Sequence, residues 1–231
     1  MILDKIHRKI YKLFHPVIGE IWMLHRVVEQ RSERPEQREL EVTPGWLENK
    51  ICDYQKRGYS FVSIDRLPAK GRWVCVTFDD GYRDNYTLAY PLLKRLQVPF
   101  VVYVTTGFID NRLPMWWYPD EKLGINTEEL KQLDAEPLCT IGAHTVSHPK
   151  LDTLSYEQQY QEIAESKQTL EDLLGHEVYH FSFPHGAHND DTIKICQKLG
   201  FKTVVQSWGG PVRKGQEPNP LPRINLTQND K

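Results

Sequence analysis

The sequence predicts an α/β chain whose parallel sheet closes into a barrel, and three observations lead there. Short apolar runs rich in β-branched and aromatic residues alternate with amphipathic stretches along the 231 residues, as strand–helix units of a parallel sheet do. At this length a single barrel absorbs the whole chain. The residues best suited to chemistry fall just past the ends of apolar runs, the end of a barrel where functional groups sit.

In order, Ile21–His25 reads as a first strand, Pro44–Arg57 as a helix and Ser60–Ile64 as a second strand. Trp73–Phe78 is a buried strand closed by Gly81. Asn85–Leu96 reads as a helix, and Phe100–Thr105 and Leu138–Ala143 as strands. Ser155–Leu174 is the longest helical pattern, opened by Ser155 as N-cap and closed at Gly175. Val178–Phe183, Thr203–Gln206 and Leu221–Asn225 supply further strands, with a helix between Asp190 and Leu199. Two segments break the alternation. Gln30–Glu41 is charged and turn-rich and reads as a solvated loop. Gly107–Pro137, which carries Met115, Trp116, Trp117 and Tyr118, is longer than an ordinary connection and reads as a lid or binding loop.

A formal net charge of −2 gives no electrostatic basis for a nucleic-acid partner. Cys52, Cys75, Cys139 and Cys196 show no close pairing and read as reduced core residues. Residues 1–18 are set apart as an N-terminal amphipathic segment, with residues 19–231 as the catalytic domain. Within Met1–Phe14, Ile2, Leu3, Ile6, Ile10, Leu13 and Phe14 face Lys5, Arg8, Lys9 and Lys12 at helical spacing, with no long uncharged run of a signal peptide or membrane span. The expectation is a cytoplasmic protein. Its first helix either lies on an anionic membrane surface or packs on the barrel.

The chemistry concentrates in Thr77, Phe78, Asp79, Asp80 and Gly81, where two carboxylates follow a buried strand. Carboxylates there are costly unless paired, hydrogen-bonded or metal-bound. One of them could cap the helix starting near Asn85; a pair needs a further partner. His144 and His148 follow the Leu138–Ala143 run, and on a helical turn a spacing of four residues puts both imidazoles on one face. An aspartate from one strand end and two histidines from another make a three-ligand metal set with room for water and substrate.

The Thr-Phe-Asp-Asp-Gly run and the His-Thr-Val-Ser-His run resemble the first two motifs of the polysaccharide deacetylases, the NodB-homology carbohydrate esterases. Phe181, Ser182, Phe183, Pro184, His185 and Gly186 resemble the third, with Ser182 in place of the family's arginine and His185 in place of its tyrosine. The family's fourth motif, an aspartate pair followed by tryptophan, is not recognisable. The resemblance runs from about Gly19 to Leu226 and implies a distorted (β/α) barrel with fewer than eight full repeats.

By that resemblance Asp80, His144 and His148 hold a divalent metal ion. Zinc is the default, while cobalt, nickel, manganese and iron suit the same ligands. Asp79 would be the general base, and the metal and the backbone amide of His185 would share the oxyanion charge. The family's usual C-terminal histidine is missing. Instead, Ile21–His25 ends a first strand on a histidine, as in the circularly permuted poly-N-acetylglucosamine deacetylases, which makes His25 the general acid, with His185 and His188 as rivals. Arg223 substitutes for the missing arginine beside Asp79, or is an exposed strand-end residue. Pro184, His185 and Arg223 are assigned to the substrate groove. Trp116 and Trp117 either stack on a sugar or anchor their loop in a local apolar cluster.

The reaction implied is metal-dependent removal of N-acetyl groups from amino sugars of a polysaccharide or glycan precursor. Two alternatives stand beside it: a carbohydrate-binding protein that kept the metal cleft without turnover, and a hydrolase of another non-peptide carbon–nitrogen bond. The intact Asp79, Asp80, His144 and His148 set argues against binding alone. The sugar, its carrier and the oligomeric state are not readable from the sequence.

Overall fold

The computed structural model describes residues 15–118, 121–215 and 219–228. Its strands are β1 (Val17–Leu24), β2 (Arg26–Val27), β3 (Glu41–Val42), β4 (Ser60–Phe61), β5 (Trp73–Phe78), β6 (Phe100–Val104), β7 (Cys139–Ala143), β8 (His180–Ser182), β9 (Thr203–Gly209), β10 (Val212–Arg213) and β11 (Leu221–Asn225). A parallel ring runs β1–β11–β9–β8–β7–β6–β5 and closes through β5 back onto β1, giving a barrel of seven strands. β4 extends the sheet beside the start of β5, and β10 lies antiparallel on β1.

Strand alternation sorts the core into two layers. Ile21, Cys75, Val101, Tyr103, Val205 and Leu221 point inward and pack together inside the barrel. Their neighbours Trp22, Val74, Val76, Phe100, Val102 and Val204 point outward and meet the helices. The same parity turns Thr77, Ser182 and Arg223 inward, so these polar side chains sit inside the ring near its carboxyl end.

The longest helix, Tyr156–Leu174, opens on a capping box made by Ser155 and Gln158 and ends at Gly175 with φ 78°. These are the start and stop signals its sequence carries. Several boundaries differ from expectation. β1 begins at Val17, inside the segment set apart as residues 1–18, because Val17 pairs with Arg213. The strand expected over Ser60–Ile64 shortens to Ser60–Phe61, and Ile64–Arg66 turns into a 3₁₀ helix capped by Ser63. Gln30–Glu41 is not all loop: Pro35–Arg38 is a short helix, and Glu41 pairs with Arg26. Gly107–Pro137 contains the helix Thr127–Asp134, capped by Asn126 and Glu129, so its irregular part is much shorter than the sequence suggests. The helix expected over Asn85–Leu96 starts as a π-helical turn, Asn85–Ala89, before the α-helix Tyr90–Arg95. Pro91 there cannot donate an i→i−4 bond.

The expected amphipathic helix over Met1–Phe14 lies outside the described residues. Among the described residues no helix is long and apolar enough to cross a membrane.

Candidate metal centre and catalytic cleft

Each chemical residue follows the last residue of a barrel strand. Leu24 and Phe78 are register partners, so His25 and Asp79 emerge side by side at the rim, and the Asp79 N–H donates to the Leu24 carbonyl at 2.9 Å. Val104 and Ala143 are partners too, and the His144 N–H donates to the Val104 carbonyl at 3.0 Å. Pro184 and His185 follow β8. At this rim lies a cavity of about 540 Å³, whose lining includes His25, Asp79, Asp80, His144, His148 and His185.

Asp79 caps no helix. The helix near Asn85 follows Asp84, and the Asp84 carboxylate accepts instead from Arg26 and the Val27 N–H. Asp79 is gripped by Arg223, whose Nη1 and Nη2 reach its two oxygens at 2.7 and 2.6 Å. Arg223 is 1 % exposed, which removes the reading as an exposed strand-end residue. Its other donors go to the Gln206 carbonyl at 2.9 Å, Thr77 Oγ1 at 3.0 Å and Ser182 Oγ at 2.8 Å. All five guanidinium N–H groups are therefore used. Thr77 passes its own proton to the Trp22 carbonyl at 2.7 Å, and Ser182 donates to Asp79 at 3.3 Å. A serine in β8 leaves the space into which Arg223 enters from β11. Arg223 is placed behind Asp79 rather than along the groove, so its assignment to direct substrate contact is corrected to one of holding Asp79. Pro184 is buried beneath the turn, and His185 alone of that pair lines the cavity.

Burial pushes the Asp79 carboxyl up, but Arg223, His144 and His25 outweigh it and hold the group below the usual carboxylate range. Burial opposes ionisation of Asp80 as well; His148 and His144 prevail and keep it well below that range.

Asp80 Oδ1 stands 3.4 Å from His144 Nε2 and 3.2 Å from His148 Nε2. All three ligand atoms lie within 4.8 Å of one another. In a tetrahedral site with bonds of about 2.0–2.1 Å, neighbouring ligand atoms stand roughly 3.3 Å apart, so the spacing fits one ion. Asp80 Oδ1 is also buried without a hydrogen-bond partner, a costly state for a carboxylate that a cation would relieve. His144 Nδ1 donates to the Ser182 carbonyl at 2.7 Å, which turns the lone pair of Nε2 toward the site.

The expected helical turn over His144–His148 does not form. Thr145 and His148 have φ of 68° and 62°, and Asp80 and His185 are left-handed as well. Such a conformation costs a non-glycine residue about 1–3 kcal/mol. The surroundings hold it in place. Glu162, on the long helix, accepts from the N–H groups of Val146 and Ser147 at 2.9 Å each and from Ser147 Oγ at 2.7 Å. The histidines thus converge through a pinned loop rather than through helical periodicity.

His25 is half-buried in the cavity wall. Burial lowers its pKa, while Asp80 and Asp79 pull it back up. His185 sits 4.5 Å from His148, ring centre to ring centre, and burial with His148 and His144 lowers it to about 4. The other rival, His188, donates to the Gly186 carbonyl at 2.8 Å and stacks on Phe183. The tryptophans divide. Trp117 donates to Tyr82 Oη at 2.6 Å and packs against Phe108 and His148, so it anchors the loop and backs the His148 ring. Trp116 is 65 % exposed at the cavity edge. The sequence reading missed the Arg26–Glu41–Asp84 ion-pair cluster under this wall, where Arg26 also lies over the rings of Tyr82 and Tyr118. Nothing in the local pattern marks those partners, which are far apart in sequence.

This geometry makes metal binding testable. Purified protein should take up about one divalent metal ion per chain, Asp80→Ala should abolish uptake, and Glu162→Ala should weaken it by roughly 10–100-fold. Competition with a chelating dye measures all three, and full affinity in Asp80→Ala would refute the ligand set.

Residues 66–204 match the family model described as polysaccharide deacetylase. YxkH of Bacillus subtilis (strain 168), which carries that family name, is 28% identical over 211 residues, 90% of this chain and 71% of its own. The poly-beta-1,6-N-acetyl-D-glucosamine N-deacetylase of Staphylococcus aureus (strain MSSA476) is 26% identical over 64% of this chain, and the match spans about half, 49%, of that enzyme. The solved structure of the Streptococcus pyogenes deacetylase PplD, in complex with acetate, superposes with a TM-score of 0.75 at 27% identity, over 93% of this chain and 94% of that one. The closed parallel barrel, the motif positions and these matches agree that the chain belongs to the polysaccharide deacetylase family.

Proposed function

We propose that the protein hydrolyses the N-acetyl group of an amino-sugar glycan, with Asp79 as general base and His25 as general acid. The observation that carries this reading is the division of the aspartate pair. Asp79 is locked ionised by Arg223, while Asp80 turns an unpartnered oxygen toward two histidine nitrogens. A protein that only bound glycan would have no use for a dedicated base beside a ligand set.

A divalent ion on Asp80, His144 and His148, zinc by default, supplies Lewis-acid chemistry that makes a water more acidic and the acetyl carbonyl more electrophilic. The residues do the rest. Asp79 takes a proton from the attacking water, and its fixed orientation keeps a lone pair on the cavity side. By the family resemblance, the N–H of His185, a left-handed residue, shares the negative charge that grows on the carbonyl oxygen. His25, beside Asp79 at the rim, gives a proton to the departing amine. One water is consumed, and acetate and a free amino sugar leave. Trp117 and Met23 add apolar wall beside the reacting groups.

The substrate class comes from the relatives: the Staphylococcus aureus enzyme is named for poly-beta-1,6-N-acetyl-D-glucosamine. Placement in the cytoplasm with a peripheral membrane contact through residues 1–14 is part of the proposal and rests on the sequence pattern alone.

Metal-loaded protein should release acetate from N-acetylglucosamine oligomers, and His25→Ala should lower kcat by about 10²-fold or more with little change in KM. Equal kcat in His25→Ala and wild type would remove His25 from the acid role. Removing the guanidinium in Arg223→Met leaves burial as the dominant influence on Asp79, so its pKa rises. The acid limb of the kcat/KM profile should then move to higher pH, with a stability loss of about 3–5 kcal/mol from the uncompensated buried charge. An unmoved acid limb would separate Asp79 from the base role.

A further inference from the structure

Ser207 lines the cavity, and the next residue, Trp208, is 53 % exposed at the end of β9. Its indole lies over Gly186 so closely that a Cβ there would stand 2.3 Å from Trp208 Cζ3. Gly186, at φ 65°, therefore permits both the turn and the ring above it. On the other flank of the same turn, the His185 ring centre is 6.5 Å from that of Trp116. Around the rim, the loop after β6 carries Trp116, the loops after β7 and β8 carry His144, His148 and His185, and β9 carries Trp208. Of the two tryptophans among the exposed large hydrophobic side chains, Trp116 lines the cleft, and Trp208 stands beside it, next in sequence to the lining Ser207 and against Gly186.

We infer that Trp208 is a second sugar-stacking platform, across the Pro184–Gly186 turn from Trp116, so that the cleft holds an amino-sugar chain on both sides of the unit that loses its acetyl group. This rests on the hydrolase reading above. A pyranose ring presents an apolar C–H face that packs on an indole while its hydroxyls stay in water. Charge argues for a neutral chain and against a sugar carried on a pyrophosphate. The cavity lining holds the carboxylates of Glu36, Asp79 and Asp80 and no lysine or arginine.

The test compares acetate release by the metal-loaded full chain from an N-acetylglucosamine dimer and pentamer, in wild type, Trp208→Ala and Trp208→Phe. Trp208→Ala should lower kcat/KM for the pentamer about fivefold, through KM, the scale of one aromatic contact. The dimer should stay within about twofold, and Trp208→Phe should recover most of the loss. An equal fall on dimer and pentamer, or no fall on either, overturns the inference. Wild-type turnover reports separately on the hydrolase reading. Should wild type release no acetate, that reading fails, and pentamer binding measured by calorimetry decides the platform: about fivefold weaker binding in Trp208→Ala supports it, and unchanged binding overturns it.

Discussion

The Arg223–Asp79 pair is the interaction on which the site depends. Two charges inside a barrel are tolerated only when both are fully hydrogen-bonded. Here Arg223 spends its five donors on Asp79, Thr77, Ser182 and the Gln206 carbonyl, tying β5, β8, β9 and β11 together behind one carboxylate. The arrangement fixes the plane of Asp79 and its ionisation together. It also explains why Ser182 is small: a longer side chain in β8 would fill the volume Arg223 needs. An arginine from one strand and a serine from another thus meet on the same carboxylate.

With Asp79 committed to Arg223, Asp80 is left in a three-residue group that could hold a metal ion. Asp80 is left-handed, and its Oδ1 stands 3.4 and 3.2 Å from the two histidine nitrogens. His148 and Thr145 adopt the same strained region, and Glu162 supplies the hydrogen bonds that hold their loop. Several unfavourable local conformations around one set of ligand atoms are characteristic of a site whose geometry is imposed by the surrounding fold.

Most of the barrel is legible in the sequence because its strands are continuous apolar runs bounded by turn residues, and the site because the Asp79–Asp80 and His144–His148 motifs stand at strand ends. What the sequence hides follows from tertiary effects. Spacing of four suggests a helical turn for the histidines, whereas Glu162, from a helix that follows in sequence, holds a loop. Trp116 and Trp117 look alike as neighbours; only the Tyr82 hydroxyl and the His148 ring separate the anchored indole from the exposed one. Trp208 carries no local signal because its placement depends on Gly186, a contact between two barrel loops. Pro91 in the predicted helix marks a missing backbone donor, but nothing local specifies the π-helical turn before it.

The division of labour between adjacent aspartates is best decided by measuring metal content and acetate release together in Asp79→Asn. The account predicts that this variant keeps its metal and loses turnover, because a side-chain amide at that position cannot accept the proton of water while Asp80 still binds. Loss of the metal along with activity would contradict it, as would turnover at the wild-type rate.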